Sequence, residues 1–154
     1  MDGKQLVGLR GWLLVLGVWL GVGVVTWGLE LGRRLEYLTQ GGWEALTDEA
    51  SRWYDPMWAQ VIFVEFAVLF LVGLWLLAAI SLYFSKKSVF VPVLIAFCIF
   101  DPLYPVINSL LHELIWVTIP HELNFNTLLG NVMSSAIVIL YLLRSKRVRQ
   151  TFER

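Results

Sequence analysis

The stretch Trp58–Phe84, WAQVIFVEFAVLFLVGLWLLAAISLYF, decides how the chain folds. It holds a single charged residue, Glu65, and exceeds the about 20 mostly apolar residues that a helix rising about 1.5 Å per residue needs to cross hydrocarbon. Three further segments read the same way, so the predicted spans are 11–31, 58–84, 89–111 and 127–143. The turn after the second span, Ser85-Lys86-Lys87-Ser88, is too short for anything but an antiparallel pair of helices. The expected fold is an all-α integral membrane protein, a single domain over 1–154, built as an antiparallel left-handed bundle of four transmembrane helices.

Composition agrees with a lipid solvent. Of 154 residues, 58% are hydrophobic and 16% charged, and the mean hydropathy of +0.68 is too high for an ordinary soluble domain. Eight Trp, five Tyr and nine Phe suit the boundary between hydrocarbon and water. The formal net charge of zero leaves no footprint for nucleic acid. The lone cysteine, Cys98, excludes an intrachain disulfide and a CxxC redox motif.

Charge placement sets the expected orientation. Lys4, Arg10, Lys86, Lys87, Arg144, Lys146, Arg147, Arg149 and Arg154 flank the spans on one side. The other side has Arg33, Arg34 and Arg52 among the acids Glu36, Glu44, Asp48, Glu49, Asp55, Glu113 and Glu122. Both termini are therefore expected in the cytoplasm. The first apolar stretch is too long for a secretory signal and no A-x-A site follows it, so it reads as a retained anchor. The basic tail is expected to stop translocation and to prolong the fourth helix into the cytoplasm, with anionic lipid as a secondary contact.

Two features promise packing. Gly17, Gly21, Gly28 and Gly32 fall within about 60° of one another on a helix turning about 100° per residue, a stripe that lets another helix approach closely. That neighbour is either a helix of the same bundle, a second copy, or a partner membrane protein. In the outer loop, 32–57, the segment 43–54 gathers Trp43, Leu46, Ala50, Trp53 and Tyr54 on one face and predicts an amphipathic interfacial helix.

The polar residues inside the spans carry the functional question. In CIFDPLYPVIN, Cys98–Asn108, the prolines at 102 and 105 cannot donate to the carbonyls of Cys98 and Asp101, which are released beside the Asp101 carboxyl. Asp101, Pro105, Asn108 and His112 form one helical stripe, and Glu65 and Asn131 lie at similar depths, so Glu65, Asp101, Asn108, His112 and Asn131 are candidates for one polar cavity opening outward. No Lys or Arg falls inside a predicted span, so Glu65 and Asp101 are expected to be protonated, hydrogen-bonded, hydrated or holding a cation. The His112-Glu113 and His121-Glu122 pairs lack H-E-x-x-H spacing, so no metal site is expected. No cofactor motif and no nucleophile with its base is present.

The segments LRGWLLVLGVWL, IFVEFAVLFLVGLWLL, the Lys86-Lys87 turn and YLLRSKRVRQTF resemble a family of small four-span bacterial inner-membrane proteins of unknown function, over nearly the whole chain. The resemblance implies a bacterial inner-membrane location and a compact four-helix unit, and it supplies no activity. Three function classes remain: a non-enzymatic accessory or oligomeric membrane protein; a small transporter or proton conductor using Glu65 and Asp101; and an intramembrane enzyme.

Overall fold

The computed structural model describes residues 9, 11–113 and 124–152. Lys4, Arg10, His121, Glu122 and Arg154, and with them most of the third connection, lie outside the described residues. The chain is 85% helix, and no strand occurs among the described residues. In order come α1 (Trp12–Tyr37), a π turn (Leu38–Gly42), α2 (Trp43–Thr47), α3 (Trp58–Phe84), α4 (Phe90–His112), α5 (Phe125–Arg144) and α6 (Lys146–Phe152). The helices α1, α3, α4 and α5 are each long and apolar enough to cross a membrane. Their outward faces are apolar too, with Phe63 75% and Ile137 64% exposed, as expected where the surrounding solvent is lipid.

Consecutive long helices are neighbours: α1 packs on α3, α3 on α4, and α4 on α5. The α1–α3 seam runs through Leu13, Leu16, Leu20 and Trp27 on α1. Trp27 lies against Gly73, where an added Cβ would overlap the indole, and its Nε1 donates to the Leu69 carbonyl at 2.7 Å. Near the other end of the seam, the Tyr83 hydroxyl donates to the Leu13 carbonyl at 2.6 Å and lies over Gly17. Both contacts require a glycine, because any side chain there would fill the space that the ring occupies.

The glycine stripe is therefore divided. Gly17 packs inside the chain, whereas a Cβ on Gly21, Gly28 or Gly32 would meet nothing within 4 Å. The reason is phase. Large residues at 13, 20 and 27 define the seam, and the glycines at 21 and 28 sit one position, about 100°, further round the helix.

The two ends of the bundle close differently. At one end α5 stops at Arg144, and Ser145 turns extended with ψ 115°. The tail then folds back as α6, so the expected prolongation of the fourth helix does not occur. Val148, Thr151 and Phe152 are buried, Phe152 stacks on Phe90 with ring centroids 4.6 Å apart, and Tyr83 joins the cluster. A straight extension would leave Val148 and Phe152 in water, forgoing about 1.5–3 kcal/mol for each buried side chain. The Ser145 hydroxyl accepts from the Val148 N–H at 3.4 Å and helps to start the new helix.

At the opposite end α1 continues to Tyr37, beyond the span expected to stop at residue 31. Gly41, at φ 96°, makes the break that only a residue without a Cβ adopts readily. Helix α2 lasts from Trp43 to Thr47, shorter than the interfacial helix expected over 43–54. Asp48 ends it: its backbone is extended, and its Oδ1 accepts from the Ala50 N–H at 2.9 Å, a local bond that competes with helical pairing. Leu46 nonetheless docks on Trp58, Val61 and Ile62 of α3.

Replacing Gly73 by Leu is expected to abolish the folded, monodisperse species in detergent, since the ring of Trp27 cannot give way without losing its hydrogen bond. Gly28→Leu should leave the thermal midpoint of the single chain within a few degrees, and a fall in oligomeric mass in that variant would reveal a helix from another molecule on this face. For the tail, Phe152→Ala is expected to cost about 3–5 kcal/mol, read from thermal unfolding, because it empties a closed aromatic cluster.

Candidate functional site: an ion chain at the α2 end

Helical phase carries α1 into the site. Leu13, Leu20, Trp27 and Arg34 are spaced by seven residues, so the seam that faces α3 ends on a guanidinium. Glu30, one turn earlier, accepts from Arg34 Nε at 2.9 Å, the favourable i,i+4 arrangement, and from Arg33 Nη2 at 3.1 Å. Arg34 Nη1 then reaches across to Glu65 Oε2 on α3 at 3.1 Å. The other oxygen of Glu65 meets His112 Nε2, from the last turn of α4, at 2.8 Å. One chain of charge thus joins three helices.

No Lys or Arg falls inside a predicted span, and the cation that meets Glu65 comes from beyond the predicted end of the first. Arg34 looked like a loop residue because the span was expected to end at residue 31; the helix runs on, and the long side chain turns back onto α3. Glu65 is 14% exposed and Arg34 27%, so the pair is shielded from water on most sides. A carboxylate only accepts hydrogen bonds, so opposite an ionised Glu65 the contact needs the His112 tautomer whose Nε2 donates. Two carboxylates and two guanidiniums cancel, so the chain is neutral when His112 is neutral.

A pocket of about 410 Å³ opens over this chain. Its ionic side consists of Glu30, Arg33, Arg34, Glu65 and His112, and its apolar side includes Leu38, Leu46, Trp58, Ile62 and Phe66. Trp58 packs edge-on against the His112 ring, with centroids 5.7 Å apart. Its indole Nε1 is buried and meets no acceptor among the described residues. A buried donor left in that state costs about 1–3 kcal/mol. On the other side of Glu65, between α3 and α4, lies a crevice of about 90 Å³ lined by Tyr104 and Asn108. The Tyr104 hydroxyl is likewise buried, and it lies near the Arg34 guanidinium. Glu65 borders both spaces.

Of the residues read from the sequence as one polar cavity, the structure brings Glu65 and His112 together and sets Asn108 beside Glu65 in the crevice. Asp101 and Asn131 line neither space. Asp101 is eleven residues before His112 on α4, about 16 Å along the axis. Pro102 and Pro105 lie inside α4, which remains helical from Phe90 to His112 despite the missing donors. No group of three or more His, Cys, Asp or Glu side chains that would hold a metal ion occurs among the described residues.

The sequence profile of the family described as "Protein of unknown function (DUF2569)" matches residues 6–153. The chain belongs to this family. No curated protein and no solved structure matches it. DUF2569 membership and four membrane-length apolar helices together give the architecture of a multi-pass membrane protein. Within this DUF2569 chain the closing segment LRSKRV, followed by TF, is the one that turns back as α6 and plugs the aromatic cluster with Phe152.

Sequence reading missed Arg34, Glu30 and Trp58 as members of the site. The available signal was the heptad that ends on Arg34, with Glu30 one turn behind it. Glu65→Ala is expected to destabilise the protein by about 2 kcal/mol in thermal unfolding, between the ~0–1 of exposed pairs and the ~3–5 of buried ones. The Arg34→Met, Glu65→Met double variant should recover most of that loss, because no uncompensated charge remains; a double variant worse than the sum of its singles would show that the pair does not act as a unit.

Proposed function

We propose that this DUF2569 protein is a non-enzymatic accessory protein of the bacterial inner membrane that holds a small amphipathic molecule in the pocket at the α2 end. The observation that carries this reading is the pairing of an apolar wall with an ionic floor around one pocket. A pocket of this size and lining suits a ligand with a hydrocarbon portion and an oxygen acceptor. Charge placement supports an orientation with the termini in the cytoplasm and the pocket outside: Lys86, Lys87, Arg144, Lys146, Arg147 and Arg149 lie at the α6 end, and Glu36, Glu44, Asp48, Glu49 and Asp55 near the α2 end.

The groups best suited to acid–base chemistry, Glu65 and His112, are bound to each other, with Arg34 on the second carboxylate oxygen, which favours binding over catalysis. Proton or cation conduction needs Glu65 and Asp101 to work together. Their separation along the bundle, and the guanidinium that already neutralises Glu65, weigh against it.

Native mass spectrometry of the protein released from detergent tests the reading. A one-to-one adduct is expected on the parent protein and is expected to disappear in Leu38→Trp, whose indole fills the pocket, with the thermal midpoint preserved. An adduct of equal abundance in both proteins, or none in the parent, would overturn the proposal.

A further inference from the structure

The α6 end carries a second concave surface, remote from the ion chain. A groove of about 330 Å³ lies between the start of α4, the end of α5 and α6. Its floor is apolar, made by Val91, Leu142, Leu143, Val148 and Phe152, while Ser88 and Arg149 stand at its polar edge. Arg149 is exposed, and its guanidinium makes one long contact, 3.4 Å, to the Leu143 carbonyl. Lys87 precedes Ser88 in the chain, and exposed Lys86, Arg144 and Lys146 occupy the same end. Among the described residues no Asp or Glu occurs in 11–20, 80–92 or 140–152. Among the described residues the cationic rim thus has no acid beside it in the chain, in contrast to the α2 end, where each guanidinium of the ion chain meets a carboxylate.

From this juxtaposition we propose that the α6 groove is a binding site for an anionic phospholipid of the adjacent leaflet, with the phosphate against Arg149 and Ser88 and an acyl chain along Val91, Leu142 and Leu143. A cationic rim over an apolar floor matches the two parts of such a lipid. The fold-back of α6 creates the site, since Val148, Arg149 and Phe152 would lie far from Ser88 and Val91 on a straight tail. A soluble phosphate shares the headgroup chemistry but makes no use of the floor. A zwitterionic lipid uses the floor but gains no net attraction from the rim.

The test compares phosphatidylglycerol and phosphatidylcholine of identical acyl chains, titrated into the detergent-solubilised full chain and read by native mass spectrometry. Phosphatidylglycerol is expected to bind more tightly, and Arg149→Gln and Lys146→Gln are each expected to weaken it about fivefold, the effect of losing one basic residue near an anionic surface. Leu143→Trp, which obstructs the floor without changing charge, should weaken it as well. Unchanged thermal midpoints of the lipid-free variants would show that their folds are intact. Equal binding of the two lipids, or undiminished phosphatidylglycerol binding in Arg149→Gln or Leu143→Trp, would overturn the site. So would inorganic phosphate binding alone and displacing the lipid at equal concentration, since the floor would then contribute nothing.

Discussion

Inside hydrocarbon an apolar side chain gains little by exchanging lipid for another apolar side chain, so helices associate where their surfaces fit closely or share polar contacts. The α1–α3 seam answers that constraint with two aromatic residues that each meet a glycine and a backbone carbonyl of the facing helix: Trp27 at Gly73 and Leu69, Tyr83 at Gly17 and Leu13. The contact is steric and polar together. It fixes both the rotation and the height of α1 against α3, and every other feature of the molecule inherits that register. One heptad beyond Trp27, the same seam delivers Arg34 to Glu65. At the opposite end Tyr83 also faces Phe90 and Phe152, so the same register positions the ring against which α6 closes.

How much of this was legible in the sequence follows from which forces act locally. Four apolar runs declare four helices, because length and hydropathy report the solvent directly. Helix ends were less legible. The polar residues of α1 after Leu31 look like a loop to any hydropathy window, yet Glu30, Arg33 and Arg34 stabilise their own turn through i,i+3 and i,i+4 pairs, and the helix continues. In the segment after Gly42, apolar periodicity suggested a helix through Tyr54, whereas the Asp48 side chain satisfied a nearby N–H and ended it. The fold-back at Ser145 was invisible because a basic tail reads as solvated until Phe90 offers a partner to Phe152.

The candidate site was half legible for a related reason. Glu65 and His112 stand out as polar residues in apolar runs. Their partner did not, since an arginine near a span end is ordinary and only the three-dimensional phase shows where it points. Asp101 illustrates the reverse. Two prolines and a carboxyl made it conspicuous in sequence, but α4 passes through the prolines as a helix and carries Asp101 about three turns away from the ion chain.

The two ends of the molecule place charge in opposite ways, and the difference has a physical origin. At the α2 end acids and bases come from three helices and lie partly within the apolar depth, where an uncompensated charge would be prohibitive, so they neutralise one another. At the α6 end the cations sit on short turns and on the exposed side of a seven-residue helix, where water and headgroups screen them and no internal partner is required. A neutral ionic floor holds its geometry and discriminates by shape and hydrogen bonding, as Trp58 and the apolar wall above it would require. An unneutralised rim attracts opposite charge from a distance. One bundle therefore presents a cleft suited to selecting a molecule at one end and a surface suited to fastening the protein to its leaflet at the other.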